Sequence, residues 1–244
     1  MNYSIIIPAR YASTRFPGKP LAMLREKTIL HHVYERAIES SAIQVIIATD
    51  DERIRETAEG FGATVCMTSP EHSSGTERLA EVVDQCHIED ESVIVNLQGD
   101  EPFITPTSLD QVASLLLQAP DHGMSTLCHV IDDPDEVADP HIVKVVLDAA
   151  GDALYFSRAP IPWDRDRHGG MPYYRHIGLY AYTAEFLREY ITLAPCALEK
   201  TEALEQLRVL YYGRKIKVGI SEEETAIGID TPEDLQKAEK LLGD

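Results

Sequence analysis

Three cations follow the first apolar run of the sequence, within a short loop rich in proline and glycine. The stretch IIIPARYASTRFPGKP places Arg10, Arg15 and Lys19 directly after the strand-like residues 5–7. The first 25 residues hold four cations and no acid, whereas the whole chain carries a formal charge of −19. Guanidinium and ammonium groups at this spacing can grip several phosphate oxygens at once. The loop therefore predicts a binding site for a polyphosphate.

Two common phosphate-binding motifs do not fit this loop. A Walker A loop that ends in Gly18-Lys19 would need glycine in place of Ser13 and a hydroxyl residue in place of Pro20. The G-x-G at residues 60–62 lies where a helix ends and a strand begins, which is the reverse of the dinucleotide-binding context. The loop therefore indicates neither a P-loop kinase nor a nicotinamide enzyme.

Two aspartates stand at the ends of other predicted strands. Asp100 follows the run VIVNLQG, and Asp230 follows IGI directly before a helix start. A single aspartate in such a position is more often a turn or cap residue. Ligands of open parallel sheets, however, bind outside the carboxyl ends of the strands, and magnesium accompanies polyphosphates and prefers carboxylate and water oxygens. We therefore expect Asp100 and Asp230 to hold Mg²⁺ beside the basic loop.

The elements that must position these residues alternate along the chain. Up to residue 118, short β-branched runs and amphipathic helical patterns alternate four times, which is typical of a parallel sheet covered by crossover helices. Ser74-x-x-Glu77 has the spacing of a helix-capping box, and Thr231-Pro232 is a typical helix start. Residues 199–212 are predicted as one helix. The predicted fold class is α/β, with a mostly parallel, Rossmann-like sheet.

The pattern changes between about residues 123 and 183. Three strand-like runs joined by turns follow one another there, with a polar, Gly-rich loop between Trp163 and Arg175. We expect an antiparallel or mixed β lobe inserted into one domain that spans residues 1–244. Its apolar strands could supply a surface for self-association.

Composition and charge exclude several classes of partner. The whole chain has a formal net charge of −19, and residues 1–25 contribute +4 of it, so the rest of the chain carries −23. The surface of that remainder should repel nucleic acid. No apolar run approaches the roughly 18 residues of a membrane span, so no membrane partner is expected. The four cysteines form no C-x-x-C pair and no secretory leader is evident, so we expect reduced thiols in a cytoplasmic protein.

Seven blocks of the sequence resemble one family of enzymes. They are IIPARYASTRFPGKP, SGTERLAEV, VNLQGDEP, VKVVLDAAGDALYFSRAPIPWDRDR, YRHIGLYAY, LEQLRVLYYG and IDTPEDL, in the order found in the 3-deoxy-manno-octulosonate (Kdo) cytidylyltransferases, or CMP-Kdo synthetases. The resemblance implies transfer of CMP from CTP to the anomeric 2-hydroxyl of Kdo, with release of pyrophosphate, for lipopolysaccharide biosynthesis. It also implies a nucleotidyltransferase fold, a magnesium cofactor and a homodimer.

The same resemblance assigns roles to individual residues. Arg10 and Lys19 should contact the triphosphate and act in catalysis with Asp100 and Asp230, which should share the magnesium ion. The expected substrate-binding residues are Arg15 and Arg78 beside the substrates, Pro8, Ala9, Ser74 and Gln98 around the cytosine and ribose, and His176, Tyr180, Glu205 and Gln206 around the sugar.

Several of these residues also have simpler interpretations. Arg78 could be an exposed helix arginine paired with an acid of its own helix, and His176 could be a strand histidine satisfied by the backbone. Glu205 and Arg208 stand three residues apart and could form a surface pair.

Other functions stay open at this point. The same chemistry could act on another sugar acid, such as an amino-substituted Kdo or a sialic acid. A non-catalytic, nucleotide-binding regulatory protein would retain the basic loop but would not need both aspartates. A metal-dependent glycosyltransferase would need an Asp-x-Asp motif, and Gln98-Gly99-Asp100 lacks its first carboxylate.

Overall fold

Most of the described strands form one central sheet with helices on both of its faces, and two short strands pair only with each other. The computed structural model describes residues 2–12, 15–72, 74–119, 121–166, 169–221, 223 and 228–241. The strands are β1 (Tyr3–Ala9), β2 (Met23–Leu24), β3 (Lys27–Thr28), β4 (Gln44–Thr49), β5 (Thr64–Met67), β6 (Val93–Asn96), β7 (Met124–Val130), β8 (Lys144–Leu147), β9 (Ala153–Ser157), β10 (Tyr174–Thr183) and β11 (Lys217–Ile220).

The helices lie between these strands in the chain. They are α1 (Ile29–Ile38), α2 (Glu52–Gly60), α3 (Gly75–Gln85), α4 (Pro106–Gln118), α5 (Pro134–Ala138), α6 (Ala184–Tyr190), α7 (Ala197–Glu202), α8 (Gln206–Tyr211) and α9 (Pro232–Leu241). Within the described ranges, no helix is both long enough and apolar enough to cross a membrane.

One strand runs against the others in the main path of the sheet. The order is β11-β7-β10-β6-β1-β4-β5, and neighbours are parallel except that β10 lies antiparallel between β6 and β7. Because β1 and β6 are parallel neighbours, their carboxyl ends lie side by side. The basic loop and Asp100 therefore leave the sheet at the same edge. The prediction of an α/β fold with a mostly parallel sheet is confirmed.

The sheet is buried on both faces, as parallel sheets usually are. Successive residues of β1 point to opposite sides, so that Ile5 and Ile7 join a core with α1, α2, α4 and α9. Ile6 joins a second core with α3, α6 and α8. All three isoleucines are fully buried. Because helices cover both faces, the loops at the strand ends are where a ligand can enter.

Two predicted helix starts are confirmed by their capping hydrogen bonds. The Ser74 hydroxyl accepts from the backbone N–H of Glu77 at 3.2 Å at the start of α3. The Thr231 hydroxyl accepts from the backbone N–H of Asp234 at 3.2 Å, at the start of α9. Each bond satisfies an N–H that the first helical turn leaves unpaired. Residue 242 of the predicted last helix lies outside the described residues.

The prediction of one helix over residues 199–212 is wrong, because two short helices form there. α7 ends at Glu202, α8 begins at Gln206, and Ala203 takes a left-handed conformation with φ of 52°. The left-handed backbone conformation is unfavourable for alanine by about 1–2 kcal/mol. Helical periodicity alone therefore does not predict this break. Because of this break, Glu205 and Gln206 line a cavity that is described below.

Residues 123–183 contribute both to the central sheet and to a smaller excursion from it. β7 and β10 lie in the main path of the sheet, whereas β8 and β9 pair with each other, and β8 also pairs with the start of β10. The fully buried Lys144 of β8 donates to three backbone carbonyl oxygens at 2.6–2.7 Å, which anchors the excursion. The predicted lobe for sugar binding and self-association stays a prediction. Residues 167 and 168 of its polar loop lie outside the described ranges.

Candidate active site

Three adjoining cavities open at the carboxyl ends of β1 and β6. The loop cavity of about 340 Å³ lies at the basic loop, the aromatic cavity of about 410 Å³ lies at β10, and a small cavity of about 70 Å³ adjoins both. Arg10 and Gln98 line all three, so the cavities share a wall. Every residue predicted for the site lines at least one of them, namely Pro8, Ala9, Arg10, Arg15, Lys19, Ser74, Arg78, Gln98, Asp100, His176, Tyr180, Glu205, Gln206 and Asp230.

Lys19 joins the two aspartates that the sequence predicts for magnesium. Its Nζ lies 2.5 Å from Asp100 Oδ2 and 3.0 Å from Asp230 Oδ1, and its side chain is largely buried. Arg15 donates from Nη1 to the other carboxylate oxygen of Asp230, at 3.0 Å. Cations of the basic loop therefore gather two carboxylates that are 130 residues apart in the chain.

Two glycines allow the basic loop to approach the carboxylates closely. Gly18 has φ of 72°, and a Cβ added to it would meet the Tyr11 ring at 3.0 Å. The chain turns there into a short 3₁₀ helix whose first residue is Lys19. A Cβ added to Gly99 would meet the carbonyl oxygen of Pro8 at 3.0 Å. Gly99 therefore lets the ends of β1 and β6 lie against each other, and Gly18 lets the basic loop turn back against Tyr11.

The two aspartates fit a magnesium ion that substrate and water would complete. Because one carboxylate oxygen of each aspartate bonds the same ammonium, these two oxygens lie within about 5.5 Å of each other, the sum of the two distances. Magnesium commonly takes one or two carboxylates and fills its octahedron with water and phosphate oxygens. The described part of the chain holds no group of three or more metal-ligating side chains. The donor set therefore suits an ion that arrives with a phosphate.

Glu101 is a further acid at this site that the sequence analysis missed. Burial raises its pKa to about 8, and the negative charges of Asp100 and Asp230 contribute to the increase. Like charges this close disfavour one another's ionised forms. The raised pKa favours the protonated form of Glu101. The signals that could have pointed to it were its position next to Asp100 and its place in the block VNLQGDEP.

Arg78 is buried, so its interpretation as an exposed helix arginine is wrong. Its guanidinium pairs with Asp50 Oδ1 at 3.2 Å and donates to the Thr68 hydroxyl. Burial lowers its pKa, but an arginine in a protein stays charged at neutral pH. Because Arg78 lines the small cavity with Arg10, it adds a second fixed positive charge there.

His176 lies on β10 among aromatic rings of the aromatic cavity. Its Nε2 lies 3.0 Å from the Thr126 hydroxyl oxygen, so its hydrogen-bond partner is a side chain and not the backbone. Its ring centroid lies 5.0 Å from that of Phe156 and 5.4 Å from that of Tyr180. Burial lowers the pKa of His176 to about 3. The imidazole is therefore neutral near pH 7 and can offer a substrate hydrogen bonds but no positive charge.

We expect the His176 ring to stay neutral between about pH 5 and pH 8, the range in which most histidines titrate. Its folded pKa of about 3 lies below the ordinary 6.5, so below pH 6.5 the unfolded chain binds a proton that the folded chain does not. The contribution of His176 to folding stability is therefore intact above pH 6.5 and is lost as the pH falls toward 3. An NMR titration of the imidazole Cε1–H signal, assigned with His176→Gln, measures this. A midpoint near pH 6.5 would contradict the expectation.

Glu205 lies in the aromatic cavity, so the interpretation of a Glu205–Arg208 surface pair is wrong. Its Oε2 accepts from the Thr76 hydroxyl at 3.4 Å, and burial raises its pKa. Arg208 instead binds Glu199 with two hydrogen bonds, Nε to Oε2 at 2.8 Å and Nη2 to Oε1 at 2.5 Å. Both members of that pair are buried.

The sequence analysis missed four further polar residues of the aromatic cavity. They are Thr76 of α3, Asn96 of β6, Tyr182 of β10 and Tyr190 of α6. All four are buried within elements whose sequence pattern is that of a core. Thr76, Asn96 and Tyr182 stand inside blocks that carry the family resemblance. The other signal was a polar group at a position where the pattern predicts burial.

The chain is similar to known proteins of one family. Residues 4–216 match the family described as Cytidylyltransferase. The chain is 54% identical over 250 residues to the 3-deoxy-manno-octulosonate cytidylyltransferase of Aliivibrio fischeri, covering 99% of each chain. It is 51% identical over 255 residues to the protein of the same name from Pasteurella multocida, covering 99% of this chain and 98% of that one. A solved structure of CMP:2-keto-3-deoxy-manno-octonic acid synthetase complexed with CTP is similar, with a TM-score of 0.93, 40% identity, and coverage of 99% of this chain and 98% of that one.

Proposed function

The chain belongs to the cytidylyltransferase family, and we propose that it transfers CMP from CTP to Kdo. The anomeric 2-hydroxyl of Kdo attacks the α-phosphorus of CTP, and the bond to the leaving pyrophosphate breaks. The products are CMP-Kdo and pyrophosphate. The observation that carries this proposal is the wall shared by the loop cavity and the aromatic cavity, where Arg10 and Gln98 face both. Two substrates can therefore meet there.

The basic loop supplies positive charge that offsets the repulsion between the two substrates. A triphosphate and a sugar carboxylate repel each other at short range, and negative charge moves onto the pyrophosphate as it leaves. Arg10, Arg15 and Lys19 all line the loop cavity, which is where we place the triphosphate. Positioned cations offset the repulsion and stabilise the transition state more than the separated substrates.

The other two cavities receive the remaining parts of the substrates. We place the cytosine and ribose against Pro8, Ala9 and Ser74, which line the small cavity. We place the sugar in the aromatic cavity, against His176 and the Glu205 turn. This arrangement puts the acceptor hydroxyl and the α-phosphate on either side of the shared wall, and holding two reactants in this way lowers the entropic part of the barrier.

Asp100 and Asp230 are the residues that we propose to hold magnesium. The bound ion would neutralise charge on the phosphates at the reacting centre. Lys19 donates hydrogen bonds to both carboxylates and lines the loop cavity, where we place the triphosphate. Its ammonium group therefore lies between the two carboxylates and the proposed phosphate position.

Pyrophosphate release by the purified protein tests the proposed function. With CTP and Mg²⁺ present, we expect release that depends on Kdo. Parallel reactions with an amino-substituted Kdo and with a sialic acid measure the selectivity among sugar acids. Turnover of sialic acid but not of Kdo would contradict the substrate assignment. CTP binding without release for any sugar acid would indicate a non-catalytic nucleotide-binding protein instead.

We further propose that the protein is a homodimer in the cytoplasm whose product enters lipopolysaccharide biosynthesis. Support for self-association comes from large apolar side chains in and after β9. Leu154, Trp163 and Met171 are all more than half exposed. Trp and Met are enriched at protein interfaces, so these side chains could contribute to one. An acidic surface of net charge −19 supports solubility and disfavours polyanionic partners.

A further inference from the structure

Three buried polar atoms in the aromatic cavity have no hydrogen-bond partner among the described residues. They are Asn96 Oδ1, the Tyr190 hydroxyl oxygen and Gln206 Nε2. The three residues are only 2%, 3% and 4% exposed, and all three line the cavity. A buried polar atom without a partner destabilises a protein by about 1–3 kcal/mol. Three of them around one cavity therefore offer a polar ligand hydrogen bonds that no described protein group uses.

The charges around this cavity orient a sugar acid within it. Arg10 is the only cation among its described lining residues, and Arg10 also lines the loop cavity. His176 cannot serve as a second cation, because its pKa is lowered. The carboxylate of the sugar must therefore face Arg10, and the reacting carbon next to it faces the triphosphate. The hydroxyl-bearing end of the sugar then points away from Arg10, toward the rest of the cavity lining.

The three unpartnered atoms match the chemistry of hydroxyl groups. Asn96 Oδ1 can only accept a hydrogen bond, Gln206 Nε2 can only donate one, and the Tyr190 hydroxyl can do both. A sugar hydroxyl donates one hydrogen bond and accepts others, so neighbouring hydroxyls can satisfy such a set. A site with buried polar groups rejects an analogue that lacks the matching hydroxyl, because the protein groups then stay unpaired.

Tyr190 is held in place without help from its own hydroxyl. The Arg208 guanidinium carbon lies 4.7 Å from the Tyr190 ring centroid, and the Phe186 ring packs at 6.4 Å. Glu199 fixes the Arg208 guanidinium through the two hydrogen bonds described above. The phenol is therefore positioned before any ligand arrives, and removing its oxygen breaks no bond within the described protein.

We infer that Tyr190 and Asn96, together with Gln206, are specificity-determining residues that bind hydroxyl groups at the end of the sugar acid remote from its carboxylate. This inference rests on the proposed function and deepens it. It makes Tyr190 and Asn96 ligand-binding residues of the aromatic cavity in addition to members of the buried core.

The variant Tyr190→Phe tests the inference, because it removes one oxygen and keeps the ring. We expect the KM for Kdo to rise by about tenfold, as for one lost hydrogen bond in a buried site, while the KM for CTP stays within about twofold. The melting temperature without ligand should be unchanged or higher, because the variant removes a buried group that has no protein partner. Tyr34→Phe is the matched control, since Tyr34 packs against Phe61 away from the cavities, and it should change neither KM.

Deoxy analogues of Kdo extend the test to single hydroxyls. For the analogue that lacks the hydroxyl bound by Tyr190, the wild type and Tyr190→Phe should show the same KM, which completes a double-mutant cycle between protein and ligand. An unchanged KM for Kdo in Tyr190→Phe would overturn the inference, as would a lower melting temperature with equal changes in both KM values. Failure of the proposed function would look different, because the wild type itself would then release no pyrophosphate with Kdo.

Discussion

Replacing Asp100 by asparagine is expected to lower kcat by at least about 100-fold at saturating CTP, Kdo and magnesium, because a few kcal/mol of charge stabilisation are lost at the reacting phosphate. Asparagine keeps the shape of the side chain but lacks the negative charge with which a carboxylate binds magnesium. Asp230→Asn should have an effect of the same size, since both carboxylates bond Lys19 at the edge of one cavity. Rates of pyrophosphate release over a magnesium titration measure both variants.

A surface aspartate provides the matched control for this experiment. Asp84 is 60% exposed and forms an ion pair with Arg188 outside the site, so Asp84→Asn removes one charge with little effect on the fold. Its kcat should stay within about twofold of the wild type. If Asp100→Asn and Asp230→Asn kept wild-type rates at saturating magnesium, the proposed metal site would be wrong. Circular dichroism of each variant shows whether a lost rate reflects chemistry or unfolding.

Replacing Arg208 by methionine is expected to lower the free energy of unfolding by about 3–5 kcal/mol, because it leaves the charge of Glu199 buried without a counter-ion. The two side chains are each 11% exposed, and two hydrogen bonds join them. The variant also removes the cation that packs on Tyr190. Urea denaturation monitored by circular dichroism measures the loss.

The exposed pair of Arg214 with Glu189 offers the control for Arg208. Arg214→Met breaks an ion pair whose arginine is 56% exposed, and such pairs contribute about 0–1 kcal/mol. In the double variant Arg208→Met with Glu199→Leu, no charge is left unpaired, so much of the lost stability should return. A loss for Arg208→Met no larger than that for Arg214→Met would contradict the expectation.

The basic loop and the two aspartates could be predicted because their signals are local. Arg10 and Lys19 follow a β-branched run, and Asp100 and Asp230 each end one. In a parallel sheet such ends meet at one edge, so positions along the chain predict proximity in space. The contact of Lys19 with both aspartates depends in addition on the close approach allowed by glycines, which becomes visible only once β1 and β6 are paired.

The aromatic cavity could be predicted only in part, because non-local packing forms it. Tyr190 and Asn96 come from elements about a hundred residues apart, and in the sequence each has the pattern of a core residue. The left-handed Ala203 that directs Glu205 inward runs against the local helical preference. Tertiary packing therefore decided this turn, as it decided that Arg208 pairs with Glu199 and not with Glu205.

The class of fold, the cluster of cations after β1 and the carboxylates that face it could all be read from the sequence. These follow from side-chain period, charge and position at strand ends, which are properties of short segments. Two features depend on how the whole chain packs: β10 lies antiparallel between β6 and β7, and three buried polar atoms around one cavity have no partner in the described part of the chain. The physical reason is that a hydrogen bond between distant segments depends on where the whole core places both groups, and no local pattern encodes that placement.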